Sequence, residues 1–115
     1  MTYNLVIHVN EDDLDKLQTG LNYIKNYRAV IANENVQVAM LVNGPAVKFF
    51  RRDNTDLAEA VKAVSRPNVV VKLCRRAMKK ANLSEHDLIG GCEVVPTGIV
   101  ELVKLQASGF SYVKP

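Results

Sequence analysis

Cys74 is the residue of this sequence best placed to do chemistry. It follows the apolar run Val69–Leu73 and precedes Arg75 and Arg76, so it stands where a predicted strand gives way to a predicted helix. Unpaired backbone N–H groups at a helix start and adjacent guanidinium groups both stabilise an anionic sulfur. Such a thiolate could act as a nucleophile, carry a sulfur atom as a persulfide or sense oxidants. Free cysteine is also a common small core residue, so chemistry and packing remain two open interpretations of Cys74.

The other residues with chemical potential carry weaker signals. Cys92 follows Gly90 and Gly91 without a basic neighbour, which favours a structural thiol. A disulfide is disfavoured in a reducing compartment, and the chain has no CxxC pair, so we expect no metal site. His8 lies inside an apolar run and His86 in a polar segment, and neither has a second metal ligand at a suitable spacing. The chain has no glycine-rich phosphate loop, so no cofactor is expected either.

The composition is that of one ordinary globular domain. The chain has 115 residues, of which 48% are hydrophobic and 23% charged, with a formal net charge of +3. The apolar content excludes an intrinsically disordered protein, and two cysteines are too few for a disulfide scaffold. No apolar run approaches the length that a bilayer requires, and the first residues lack the pattern of an export signal. We therefore predict a single domain over residues 1–115, in the cytoplasm and without membrane contact.

The positive charge is concentrated in one stretch. From Lys62 to Lys80 the chain carries basic side chains and no acidic one: Lys62, Arg66, Lys72, Arg75, Arg76, Lys79 and Lys80. A cationic stretch attracts small anions or acidic partner proteins, although long basic side chains also simply solubilise a helix face. Nucleic acid is not expected as a partner, because the net charge is small and aromatic residues are few.

Strand-like and helix-like segments alternate along the chain. The predicted strands cover residues 4–9, 36–42, 69–73, 93–95 and 110–113, and the segments between them have apolar residues at helical spacing. This alternation predicts an α/β layer fold. The unbroken apolar run Val69–Val71 fits a strand that is covered by helices on both faces.

Three segments lie where a predicted strand hands over to a helix. They are Asn43-Gly44, Cys74-Arg75-Arg76 and Pro96-Thr97-Gly98. Ligands of α/β sheets bind beyond the carboxyl ends of the strands, where such segments meet. We therefore expect a pocket around Cys74 that is lined by Asn43, Gly44, Arg75, Arg76, Thr97 and Gly98.

The sequence over its whole length resembles the DsrE/DsrF-like family. The resemblance rests on Val71–Cys74, Leu83–Leu88, Val94–Leu102 and the tail Leu105–Pro115. It implies a three-layer α/β/α domain with a mainly parallel five-stranded sheet, which assembles into trimers or hexamers. It also implies a role in sulfur handling, in which a cysteine takes sulfur as a persulfide from a donor and passes it to an acceptor protein. Cys74 stands at a cysteine position of the small stand-alone members.

Two functions remain open at this point. The first is an intracellular sulfur-relay protein, similar to a sulfurtransferase, with the persulfide on Cys74. The second is a non-catalytic homo-oligomeric module that binds a small anion or an acidic partner through the basic stretch. For self-association, Phe49, Phe50 and Phe110 either fill the core or leave an apolar surface for a neighbouring subunit to cover.

Overall fold

A computed structural model describes residues 3–32 and 35–115 and places five parallel strands in one sheet. The strands are β1 (Leu5–Val9), β2 (Val38–Val42), β3 (Val69–Cys74), β4 (Cys92–Val95) and β5 (Ser111–Val113). Their order across the sheet is β4-β3-β2-β1-β5. The predicted α/β fold with a mainly parallel five-stranded sheet is confirmed, and every strand pair in the sheet is parallel.

The segments between the strands form helices, as the apolar spacing predicts. The α-helices are α1 (Leu14–Val30), α2 (Thr55–Val64), α3 (Arg75–Lys80) and α4 (Gly98–Ala107). Two 3₁₀ helices, Gly44–Phe50 and Glu85–Asp87, complete the connections. In residues 3–32 and 35–115, no helix combines the length and the apolar character that crossing a bilayer requires.

The helices cover the two faces of the sheet unequally. On one face, here called the major-core face, α1, α2, α3 and the first 3₁₀ helix bury the larger apolar cluster. The other face, here called the α4 face, is covered by α4, whose Leu102 and Leu105 pack on Val6, Ala39 and Leu41. Because side chains alternate along a strand, every second residue of each strand is directed to the α4 face.

The aromatic residues considered for self-association mostly fill the monomer. Phe50 is fully buried in the larger cluster, and Phe49 packs against its edge. Phe110 packs against the smaller cluster under α4. Exposed apolar side chains lie elsewhere. Ile99 and Val103, on the outer side of α4, are 63% and 60% exposed, and Val30, at the end of α1, is 81% exposed.

Candidate functional site

At the carboxyl edge of the sheet, the connections that follow β3 and β4 diverge. The chain leaves β3 into α3, on the major-core face, but leaves β4 into α4, on the opposite face. In parallel sheets such a divergence opens a crevice, and ligands bind there. Cys74 ends β3 and is paired in register with Val95, the last residue of β4. The structure thus puts Cys74 at the strand end where the topology predicts a crevice.

Cys74 differs from Cys92 in its surroundings. Cys74 is 6% exposed, yet among the described residues neither apolar cluster includes it. It occupies the N-cap position of α3, and its side chain makes no capping hydrogen bond. Cys92 packs against the larger cluster, and burial raises the pKa of its thiol to about 11. A thiol with that pKa stays protonated at neutral pH, so Cys92 is a poor nucleophile.

The two arginines that follow Cys74 are directed to the surface. Arg75 is exposed and forms an ion pair with Glu85, at 2.5 Å between Nη2 and Oε1. Arg76 is also exposed, and within the described part of the chain its side chain has no hydrogen bond or ion pair. The fold also divides the basic stretch, because Lys72 is 14% exposed on β3 whereas Arg66 lies before that strand. The stretch is therefore not one continuous patch.

Asn43 and Gly98, both predicted to line the pocket, are in contact. A Cβ atom placed on Gly98 would lie 3.0 Å from Asn43 Cβ and 3.1 Å from Leu41 Cδ1, so the start of α4 approaches the sheet as closely as a glycine permits. Asn43 and Cys74 directly follow the paired residues Val42 and Leu73 on neighbouring strands. Asn43, Gly98 and Cys74 thus belong to one edge of the sheet.

The remaining predicted pocket residues are turn positions. Gly44 has φ +57°, and a Cβ atom there would lie 3.0 Å from the carbonyl oxygen of Asn10, so the turn after β2 requires glycine. Thr97 occupies the N-cap position of α4, but its side chain makes no capping hydrogen bond. Gly44 and Thr97 thus shape the turns at the carboxyl edge of the sheet, where Cys74 also lies, but neither supplies a reactive side chain.

A buried histidine, assigned no role by the sequence analysis, joins this edge. His8 Nε2 lies 2.8 Å from Asn43 Oδ1, and His8 Nδ1 lies 2.5 Å from the hydroxyl oxygen of Tyr112. Since the amide oxygen only accepts, Nε2 carries the proton, and Nδ1 accepts the hydroxyl proton of Tyr112. This chain of hydrogen bonds fixes the orientation of the Asn43 side chain. The partners are distant in the sequence, so no local motif could have revealed them.

A lysine on the α4 face is the second feature that the sequence analysis did not single out as a site. Lys72 Nζ lies 3.5 Å from Glu101 Oε1 and 3.8 Å from Glu93 Oε1, which links β3 to α4 and β4. Lys72 and Cys74 are two residues apart on β3, so both side chains are directed to the same face of the sheet, the α4 face. The signal in the sequence was a charged residue in the middle of an apolar strand, which normally needs a partner.

The pKa of His8 gives a pH-dependent stability. Burial lowers it below the ordinary 6.5, the bond to Asn43 partly opposes this, and Lys114 lowers it further. The folded state therefore binds this proton less readily than the unfolded chain. The contribution of neutral His8 to stability is complete above pH 6.5, and it is lost as the pH falls through the lower pKa of His8 in the folded state.

We expect the midpoint temperature of thermal unfolding to decrease as the pH is lowered from about 8 to about 5. The decrease should be steeper in the wild type than in His8→Gln. The matched control is His86→Gln, because His86 is exposed and should leave the wild-type slope unchanged. Scanning calorimetry across this range measures the slopes. Equal slopes for His8→Gln and the wild type would show that His8 does not titrate with folding.

In the described ranges, residues 3–32 and 35–115, no group of three or more His, Cys, Asp or Glu side chains could hold a metal ion. The chemistry available at this edge is that of a thiol and an oriented amide, beside an ammonium group that two carboxylates neutralise. These groups suit the binding and transfer of a small anionic or sulfur-bearing group.

Comparison with known proteins places the fold. The chain is similar to the solved structure of MTH1491, a protein of unknown function from Methanobacterium thermoautotrophicum, with a TM-score of 0.81 and 27% identity over 98% of this chain and 99% of that one. It shares its fold with the ychN protein from E. coli, with a TM-score of 0.69 and 18% identity over 100% of both chains. No curated protein matches. The family model of DsrE/DsrF-like proteins matches residues 6–115, which confirms the resemblance: this chain belongs to the DsrE/DsrF-like family, and that membership indicates a sulfur-relay-related role.

Proposed function

We propose that this protein carries sulfur as a persulfide on Cys74. The observation that carries the proposal is the place of Cys74 at the end of β3, paired with the end of β4, where the chain turns to opposite faces of the sheet. The raised pKa of the Cys92 thiol supports it, because it argues against Cys92 as the nucleophile. Family membership supplies the sulfur-relay context.

The transfer needs two displacements at sulfur. The Cys74 thiolate attacks the terminal sulfur of a donor persulfide, R–S–S⁻; a new S–S bond forms, the donor's S–S bond breaks, and its electron pair leaves with R–S⁻. An acceptor thiolate then attacks the terminal sulfur of the Cys74 persulfide in the same way. Cys74 leaves as a thiolate, ready for another cycle. One sulfur atom moves in each step, and no external oxidant or reductant is consumed.

The surroundings of Cys74 suit a carrier. With 6% exposure, the residue presents little surface to bulk solution, which limits its non-specific reactions without closing it to small sulfur reagents. Lys72, on the same face of β3, ties β4 and α4 to the strand that ends at Cys74 through its ion pairs with Glu93 and Glu101. Asn43, held by His8, offers an amide of fixed orientation at the adjacent strand end.

The test is the mass of the purified protein after incubation with inorganic polysulfide. We expect the wild type to gain the mass of one sulfur atom and to lose it on treatment with a reductant. Cys74→Ser should gain nothing. Cys92→Ser is the matched control, since it removes the other thiol, and it should load as the wild type does. An unchanged wild-type mass, or a gain that persists in Cys74→Ser, would contradict the proposal.

Self-association forms a second part of the proposed function. The outer side of α4 leaves Ile99, Val100 and Val103 exposed, and α4 follows β4, the strand whose end is paired with Cys74. Such a face suits burial against a second copy of the chain. We expect light scattering behind a sizing column to give a multiple of 12.8 kDa for the wild type. Val103→Glu should shift it to the monomer, whereas Lys104→Glu, a neighbouring exposed position, should not. A monomeric wild type would contradict this part.

A further inference from the structure

Two neighbouring cavities open at the amino edge of the sheet, where α1 and α2 end. One has a volume of about 250 Å³ and the other of about 300 Å³. Arg28 and Arg66 line both cavities, Lys25 lines the first, and Gln37 lines the second. Arg66 precedes β3 and Gln37 precedes β2, so these cavities lie at the end of the sheet opposite to Cys74.

Arg28 has an unusual environment for a guanidinium group. Its Nε and Nη1 atoms are buried and have no hydrogen-bond partner among residues 3–32 and 35–115. An arginine side chain always carries its charge in a protein, and a buried donor without a partner is normally rare. The side chain lines both cavities, so a ligand there would be close to its uncompensated charge.

The charge around Arg28 has a single sign. Lys25 and Arg66 add two further cations, and no acidic residue lines either cavity in the described part of the chain. The sequence has no Asp or Glu from Lys16 to Ala32 or from Ala60 to Ser84. Three cations that face cavities without a carboxylate raise the local concentration of anions.

Helix capping does not account for this cluster. Basic side chains near the end of a helix often donate to its last carbonyl groups and complement the helix dipole. The buried nitrogens of Arg28 donate to no carbonyl of residues 3–32 or 35–115. At the end of α1, the Tyr27 carbonyl oxygen accepts a hydrogen bond from the backbone N–H of Ile31, not from Arg28. Arg66 does have a bond of this local kind, from its Nη1 to the Ser65 carbonyl oxygen at 2.7 Å.

We propose that these cavities bind a doubly charged tetrahedral oxyanion, a phosphate or sulfate group. Two guanidinium groups and one ammonium group match the charge and the oxygen acceptors of such a ligand. The Gln37 side chain, exposed beside them, adds a neutral donor. The site is separate from Cys74 and does not depend on the sulfur chemistry proposed above.

The probe is inorganic phosphate, measured by thermal unfolding and by calorimetric titration of the full chain. We expect phosphate to raise the unfolding midpoint more than sodium chloride at equal ionic strength, because a ligand that binds only the folded state stabilises it. Sulfate should act as phosphate does, and acetate, with its single charge, should act less. A wild type that responds to phosphate no more than to sodium chloride would overturn the proposal.

The variants locate the site. Arg28→Met and Arg66→Met should each weaken phosphate binding by about tenfold or more, as expected for the loss of a charge-assisted contact. Arg52→Met removes the same charge from an exposed arginine outside both cavities, so it should bind as the wild type does. Arg66 is exposed, so its variant stays informative even if Arg28→Met does not fold. If all three substitutions weakened phosphate binding equally, the effect would come from the net charge of the protein, and the proposed site would be refuted.

Discussion

Phe50→Ala is expected to lower the free energy of unfolding by about 3–5 kcal/mol, the range for deleting a fully buried aromatic side chain. Phe50 is 0% exposed and ends the 3₁₀ helix that packs between the sheet and α1, α2 and α3. Its backbone carbonyl also accepts a hydrogen bond from Ile89, which anchors the segment before β4. The deletion would therefore leave a cavity where several elements meet, and that cavity adds to the lost burial. Urea unfolding followed by circular dichroism measures the change.

Phe49→Ala is the matched control for this prediction. The two residues are adjacent and identical in type, but Phe49 is only half-buried, with Lys48 Nζ 5.3 Å from its ring centre. We expect a loss of about 1–2 kcal/mol there, because less area leaves the core and the surroundings are free to relax. Comparable losses for both variants would mean that the 3₁₀ helix does not hold Phe50 in the core as the structure shows.

The same pair shows what the sequence could and could not predict about the fold. Alternating strand and helix patterns predicted each of the five strands. A buried parallel strand needs a continuous apolar run, whereas a helix that covers the sheet needs apolar residues at helical spacing. The sequence could not tell which of Phe49 and Phe50 enters the core. That depends on the 3₁₀ geometry of the segment, which shifts side-chain directions relative to an α-helix.

The candidate site was predictable to the extent that it follows from topology. The strand-end segments at Asn43, Cys74 and Gly98 were expected to share one edge, since carboxyl ends of parallel strands do so. The partners of these residues were not predictable. Tyr112 reaches His8 only because β5 returns to pair with β1, and Glu85 holds Arg75 through a 3₁₀ turn. Such contacts depend on three-dimensional placement rather than on spacing along the chain.

Gly98→Val is expected to lower the free energy of unfolding by about 1–3 kcal/mol, the usual range for overpacking a tight contact. A Cβ atom at Gly98 would meet Asn43 Cβ at 3.0 Å and Leu41 Cδ1 at 3.1 Å. The leucine methyl group has rotamers that move it away, but the Asn43 Cβ is fixed to the backbone at the end of β2. The gain in helix propensity over glycine, at most about 1 kcal/mol, offsets only part of this cost. Urea unfolding measures the change.

Gly90→Val provides the control, because a Cβ atom at Gly90 would have no heavy atom within 4 Å outside its immediate neighbours. We expect it to stay within about 0.5 kcal/mol of the wild type, as exposed substitutions usually do. Equal losses at the two glycines would mean that α4 does not approach Asn43 as closely as described.

The comparison of Gly98→Val with Gly90→Val also separates an effect on packing from an effect on sulfur loading. If Gly98→Val folds but loads sulfur more slowly than Gly90→Val, the contact between α4 and Asn43 shapes the crevice of Cys74. Equal loading would confine the role of Gly98 to holding α4 against the sheet.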